Sequence, residues 1–227
     1  MSHSAPLVAV PAGGSTVRIT EIFYSLQGEA RTVGLPTVFV RLTGCPLRCV
    51  YCDTAYAFSG GENMTIEAIC EQVAAYTPRF VTVTGGEPLA QKNCIPLLRR
   101  LCDAGYEVSL ETSGAICVAD VDERVVKVLD LKTPASGEVE RNDYSNIAHL
   151  TLQDQLKFVI CDRNDYEWAR FKLDEYQLDG RVSDILFSPS YGQLEERKLA
   201  EWILKDKLPV RFQMQLHKIL WNDEAGR

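Results

Sequence analysis

Six short apolar runs in this chain each close on small, charged or proline residues: RLTGC, VTGGEP, LETSG, DLKTP, FSPS and QLHK. Between them lie segments with apolar residues at helical spacing, such as Ile66, Ile69, Cys70, Val73 and Tyr76. Strands separated by helices join through right-handed crossovers, so they build a parallel sheet and bring their carboxyl ends to one edge. Turn chemistry explains any one such ending; six in succession point to a polar rim around a shared cavity. The expected class is α/β, with about seven strands and three or four helices. The helices include IPLLRRLCDAG, closed by Gly105, a segment from about Asn164 with Trp168 and Phe171 inward, and LEERKLAEWILKD. LPVRFQMQLHK is expected to be the last strand, with His217 at its end.

Composition narrows the class of function. At 227 residues, with 46% hydrophobic and 24% charged residues, the chain fits one domain with a sizeable core, residues 1–227. No run approaches the roughly 18 apolar residues of a membrane span, so no membrane partner is expected. The opening stretch, residues 1–17, lacks a basic start and an apolar signal core and is expected to be a loose leader in a cytoplasmic protein. A net charge of -7 argues against direct nucleic-acid binding, which favours a basic excess. Eight cysteines without an export signal suit a reducing compartment, where clustered thiols hold metal or do redox chemistry. Five of them, Cys70, Cys94, Cys102, Cys117 and Cys161, are scattered singly and are expected to be small buried hydrophobes.

The other three, Cys45, Cys49 and Cys52, form a CxxxCxxC pattern directly after the run VFVRLTG. Spacings this short let one loop wrap three thiolates around one inorganic centre. A structural zinc site takes four ligands, commonly as two pairs, and neither a second CxxC nor an HxxxH occurs in the sequence. A four-iron cluster normally takes four cysteines, so three leave one iron open to a small molecule.

With TGGEP, residues 84–88, at the end of the next strand, this pattern resembles the radical S-adenosylmethionine superfamily. The resemblance implies a partial, incomplete TIM-type βα barrel, a 4Fe-4S cluster on Cys45, Cys49 and Cys52, and S-adenosyl-L-methionine chelating the open iron. It places Gly85, Gly86 and Glu87 on the cofactor side, where bare glycine backbone can come close to the cofactor.

A narrower resemblance covers most of the chain. EIFYSLQGEARTVGLPTVFVRLTGCPLRCVYCDT and RFQMQLHKILW are similar to the opening and the ending of the 7-carboxy-7-deazaguanine synthase family. The resemblance implies a magnesium-dependent ring contraction of 6-carboxy-5,6,7,8-tetrahydropterin with loss of ammonia, in queuosine and deazapurine biosynthesis. It carries substrate contacts onto Leu26, Gln27, Gly28, Glu29, Arg41 and Thr84, with Arg41 meeting the carboxylate. Magnesium falls to Thr54; with Asp53, this threonine could instead cap a helix. Ser113 and the segment Asp130, Leu131 and Lys132 fall to the cofactor. Glu111 is expected to handle protons near the substrate, and His217 to bind or protonate the pterin. A homodimer and an electron donor such as flavodoxin are implied as well. Some relatives end close to the histidine and use their terminus near substrate, whereas this chain runs on through ILWNDEAGR, so the resemblance assigns no contact to the last residues.

Two other readings stay open on sequence: a glycyl-radical-enzyme activase or another small radical enzyme, which would share the cysteine spacing, and a zinc-dependent binding module, which would lack a fourth ligand.

Overall fold

The computed structural model describes residues 14–222, 224 and 226. Of the expected leader, residues 1–13 lie outside the described residues. Its last part is a strand instead: β1 (Thr16–Leu26) begins there, and Val17 is fully buried.

One nine-stranded sheet runs through the described residues in the order β3-β1-β2-β4-β5-β6-β7-β8-β9. The strands after β1 are β2 (Pro36–Leu42), β3 (Glu62–Thr65), β4 (Phe80–Gly85), β5 (Glu107–Thr112), β6 (Val126–Asp130), β7 (Gln155–Ile160), β8 (Asp184–Pro189) and β9 (Arg211–Phe212). From β2 through β9 every pairing is parallel, as the alternating pattern requires; β1 runs antiparallel to both β2 and β3. That two-strand flank is what the sequence count missed. β1 returns to β2 through a short loop, without a helix between them to mark it.

Alternation along the strands divides core from cavity. Val81 and Val83 of β4, with Val108 and Leu110 of β5, join the apolar cluster under α1 (Ile66–Ala75) and α2 (Cys94–Asp103). Thr82, Thr84, Ser109 and Glu111 take the other face and bond one another there: Thr82 pairs with Ser109 at 2.8 Å, and Thr84 donates to Glu111 at 2.9 Å. Leu97, Leu98 and Leu101 of α2 are wholly buried, and truncating one to alanine would cost about 2–5 kcal/mol. Thr65 caps α1 by accepting from the Ala68 N–H at 3.1 Å, and Gly105 ends α2 with φ +88.

Three sequence expectations change here. In α3 (Arg163–Glu175) Trp168 meets Phe158 edge-on, yet Phe171 is 60% exposed. The buried stripe is Tyr166, Ala169 and Leu173, and Phe171 lies about 200° around the helix from Ala169. LPVRFQMQLHK, expected to be one strand, gives only the two-residue β9 before the chain turns into α5 (Leu216–Trp221), so His217 stands in a helix. The Gln213 side chain turns the chain: it accepts from Ala30 N at 2.8 Å and donates to Ala30 O at 3.0 Å. α4 (Glu196–Asp206) forms where expected. Of the scattered cysteines, Cys94 and Cys102 are buried, Cys70 and Cys161 half-buried, and Cys117 exposed, against expectation. Among the described residues no helix is long and apolar enough to cross a membrane.

Candidate active site

The cysteine loop leaves β2 at Leu42 and is pinned by backbone. Gly44 N donates to Ala57 O at 2.8 Å, Glu87 N to Gly44 O at 2.8 Å, Gly86 N to Leu42 O at 3.2 Å, and Val50 N to Ser136 O at 3.0 Å. These contacts explain the two glycines after β4. A Cβ on Gly86 would lie 2.7 Å from the Cys45 Cβ, and one on Gly85, at φ +149, 2.7 Å from Leu42 N. Close approach is thus required by the cysteine loop itself, before any ligand is considered.

Cys45, Cys49 and Cys52 are free thiols, half-buried, and open on a cavity of about 650 Å3. Burial pushes the Cys49 thiol up to about 11, against the pull of the Lys132 ammonium, and burial raises Cys45 as well. Such thiols keep their protons until a metal displaces them. No three His, Cys, Asp or Glu side chains among the described residues gather around a single ion position. An iron–sulfur cluster makes no such demand, because each thiolate ligates a separate iron.

Buried polar atoms without a protein partner mark where a ligand fits. Ser188 Oγ, Asp130 Oδ1 and Tyr51 OH are of this kind, and all three residues line the cavity. Lys132 Nζ pairs with the other Asp130 oxygen at 2.8 Å. Burial works against the Lys132 ammonium, but Asp130 more than compensates and holds it charged. The residues present therefore suit a polar, zwitterionic cofactor beside the thiols.

Two residues expected on the cofactor side do not line this cavity. Glu87 is wholly buried and accepts from Leu89 N at 3.0 Å, Thr112 Oγ1 at 3.0 Å, Ser113 N at 2.7 Å and Ser113 Oγ at 2.5 Å. With its acceptor sites filled, it ties the ends of β4 and β5 together. Leu131 is likewise buried, and its N–H donates to Lys157 O at 2.9 Å. Gly85, Gly86, Ser113, Asp130 and Lys132 do line the cavity.

The same cavity is lined by the carboxylates Glu29 and Glu111. Gln27 donates to Thr82 Oγ1 at 3.2 Å and, more weakly at 3.4 Å, to Glu111 Oε1. Lys157 Nζ pairs with Glu29, which also accepts from Gln215 Nε2 at 2.6 Å. Burial pushes the Glu29 carboxyl up, but the Lys157 charge and these hydrogen bonds outweigh it and leave the group below its ordinary value. Glu111 goes the other way: burial, then the Glu29 charge, raises it. The environments of these two neighbouring carboxyls therefore drive their proton affinities apart, the arrangement that separates an acid from a base.

Arg41 lines the cavity while its Nε pairs with Glu21 at 2.6 Å, and its guanidinium lies 5.7 Å from the Phe23 ring centre. Phe23 and Phe39 stack at 4.9 Å, 9° from parallel, giving the cavity a flat apolar wall. The His217 imidazole occupies the space a side chain at 28 would need, which is why Gly28 stands there; burial lowers its pKa, against the pull of Glu29 and Asp53. Gly28 itself and Leu26 do not line the cavity. Thr54 begins a short turn, Ala55–Phe58, but makes no side-chain capping bond. Its hydroxyl donates to Asp53 Oδ1 at 2.8 Å, which leaves the oxygen's lone pairs for a hard cation, so a magnesium ligand role fits.

Lys157, Phe23 and Phe39 were not expected in the site, yet line it; Ser188, Gln215 and Lys218 also line it, and belong to the rim runs FSPS and QLHK without having been given a role. Lys157 left a readable trace, a lone cation inside the otherwise apolar LKFVI. Phe23 and Phe39 read as ordinary strand residues.

Comparison with known proteins agrees with this geometry. Residues 39–133, from β2 to just past Lys132, match the Radical SAM superfamily model. The 7-carboxy-7-deazaguanine synthase of Chlorobaculum tepidum is 45% identical, over 99% of both chains. That of Koribacter versatilis is 42% identical, over 92% of this chain and 99% of its own. The crystal structure of QueE from Escherichia coli superposes with a TM-score of 0.70 at 23% identity, over 89% of this chain and 95% of that one, and shares the fold. This chain belongs to the 7-carboxy-7-deazaguanine synthase family of radical S-adenosylmethionine enzymes.

Proposed function

We infer that the chain contracts the ring of 6-carboxy-5,6,7,8-tetrahydropterin to 7-carboxy-7-deazaguanine with release of ammonia, as a magnesium-dependent carbon–nitrogen lyase. The observation that carries this reading is that the three thiols and a split pair of buried carboxyls open on one cavity, in a chain 45% identical to a named synthase. When bound, a 4Fe-4S cluster on Cys45, Cys49 and Cys52 with S-adenosyl-L-methionine supplies the radical that removes a hydrogen atom from the substrate.

The remaining work falls to side chains. The flat wall of Phe23 and Phe39 matches a flat heterocycle, and the Arg41 guanidinium beside it suits the single carboxylate. Gln27 and the ionised Glu29 present acceptors to the N–H edge of the pterin. Glu111, whose carboxyl burial and the Glu29 charge shift toward the protonated form, is placed to move a proton as the amine departs, and the Thr84 hydroxyl holds it in place. His217, held neutral by burial, can either accept or donate at the same face. Thr54 would hold magnesium, whose charge offsets the carboxylate and the negative charge developing beside it. Ser113, Asp130 and Lys132 would hold the cofactor, Lys132 toward its carboxylate.

The same reading carries a homodimer, an electron donor such as flavodoxin, and work in the cytoplasm. A glycyl-radical activase would need room for a protein segment; the polar interior built from Gln27, Thr84 and Glu111 favours a small molecule. The test is an anaerobic assay with reconstituted cluster, S-adenosylmethionine, magnesium and 6-carboxytetrahydropterin. Formation of the deazapurine is expected. Cofactor cleavage without that product would reject the substrate assignment.

A further inference from the structure

Gln215 stands at the N-terminus of α5, on the cavity wall between two loops of different chemistry. Its carboxamide nitrogen carries two hydrogens that diverge at a fixed angle. One donates to Glu29 Oε1 at 2.6 Å, the other to Asp53 Oδ2 at 3.3 Å. Glu29 belongs to the loop after β1. Asp53 sits between Cys52 and Thr54, and its second oxygen takes the Thr54 hydroxyl proton at 2.8 Å. Lys218 Nζ, further along α5, lies 3.0 Å from Asp53 Oδ2.

The base from which Gln215 reaches is fixed. The Gln213 carboxamide grips both backbone groups of Ala30, and Leu216 N donates to Gly28 O at 3.0 Å. The start of α5 is therefore fastened to the Gly28–Ala30 turn, and Gln215 with Lys218 extends from it to Asp53. Any shift of Asp53 changes the acceptor that aims the Thr54 hydroxyl, an outer-shell effect of the kind that tunes a metal ligand.

We propose that Gln215 is a positioning residue that couples the pterin-facing loop to the Thr54 loop, so that magnesium and pterin each strengthen the other's binding. This rests on the family reading above. A single amide that donates one hydrogen to each of two carboxylates holds both loops in register; a displaced carboxylate draws the amide with it and misaligns its other hydrogen bond. Linkage makes the effect reciprocal: whatever factor magnesium adds to pterin affinity, pterin adds to magnesium affinity.

The test measures binding rather than turnover. Cluster-loaded protein with S-adenosylmethionine is titrated with 6-carboxypterin, the oxidised and unreactive analogue, with and without magnesium. In the parent chain magnesium is expected to raise analogue affinity by roughly tenfold, within the usual range of coupling between sites. Q215L, which removes both donors, is expected to cut that factor several-fold, what remains being the direct attraction between magnesium and the pterin carboxylate. Q215E, of nearly the same shape, sets a carboxylate against Glu29 and Asp53 and is expected to lower the factor at least as far, with iron content equal to the parent's. A magnesium factor unchanged in both variants would overturn the proposal, even if both bound the analogue more weakly, because that would be a local contact with Glu29 alone. If the parent itself neither bound the analogue nor responded to magnesium, the family reading would fall, and the proposal with it.

Discussion

The two walls of the cavity are built by opposite means. The thiol wall takes its shape from backbone: the Glu87 N–H donates to Gly44 O and the Gly86 N–H to Leu42 O, and glycine is needed where strand ends nearly touch. The carboxylate wall takes its shape from side chains, with Lys157 and Gln215 on Glu29 and Thr84 on Glu111. The thiol loop should therefore keep its shape when its reactive side chains are removed, whereas the carboxylate wall should rearrange when one partner goes.

The largest effect tests the first half of that contrast. Replacing any one of Cys45, Cys49 or Cys52 by alanine is expected to abolish turnover and the bound iron, yet leave the unfolding temperature of the metal-free chain close to the parent's. A collapse of that temperature would mean that the side chains do shape the loop. Lys157→Met tests the other half. It leaves Glu29 buried without its cation, a loss of about 3–5 kcal/mol measurable by urea unfolding, where an equivalent surface pair would cost almost nothing.

Arg41→Ala should weaken the carboxylated pterin by an amount set by one charge-assisted hydrogen bond, about 1.5–3 kcal/mol, while S-adenosylmethionine affinity changes little. Equal losses for both ligands would indicate that Arg41 serves its pair with Glu21 and the fold. Gly86→Ala forces a Cβ against Cys45 and the Gly44 carbonyl, and overpacking of this kind costs about 1–3 kcal/mol. Its signature should be poor cluster retention, which no change at Lys157 should produce.

The smallest expected effect is a pH dependence at Glu111. Its carboxyl is raised above the ordinary value of 4.5 in the folded chain. A raised group contributes stability below its unfolded value and loses that contribution as pH rises through the folded one. Glu111→Gln carries no such term, so relative to the parent it should be more stable at pH 8 than at pH 5. A stability difference that does not vary between these pH values would contradict the raised Glu111 carboxyl.

The thiol wall was the more legible in sequence, because its instructions are local. CxxxCxxC, TGGEP and the strand before each are contiguous runs whose residue types follow from ligation and close packing. The rim of strand ends was legible for the same reason: a parallel sheet sends every carboxyl end to one edge. The carboxylate wall was read only in part. Gln27, Glu29 and Glu111 were named from their motifs, but their partners Lys157 and Gln215 lie 128 and 186 residues from Glu29, and no local pattern joins them. His217 was expected at a strand end because QMQLH alternates like a strand; the turn into α5 is set by the long-range grip of Gln213 on Ala30. Glu87 looked like a ligand residue in its motif, and only folding reveals the four donor atoms that occupy it. β1 escaped notice because its partners are antiparallel and it has no helix to separate it from β2.

The central claim is that three thiols hold a cluster whose remaining iron is open to the cofactor. Electron paramagnetic resonance of the reduced, anaerobically reconstituted protein tests it most directly, recorded before and after adding S-adenosylmethionine. The account predicts a four-iron signal that changes on addition, as amino and carboxylate groups reach the open iron. A signal indifferent to the cofactor, or a protein that takes up zinc and no iron, would contradict it.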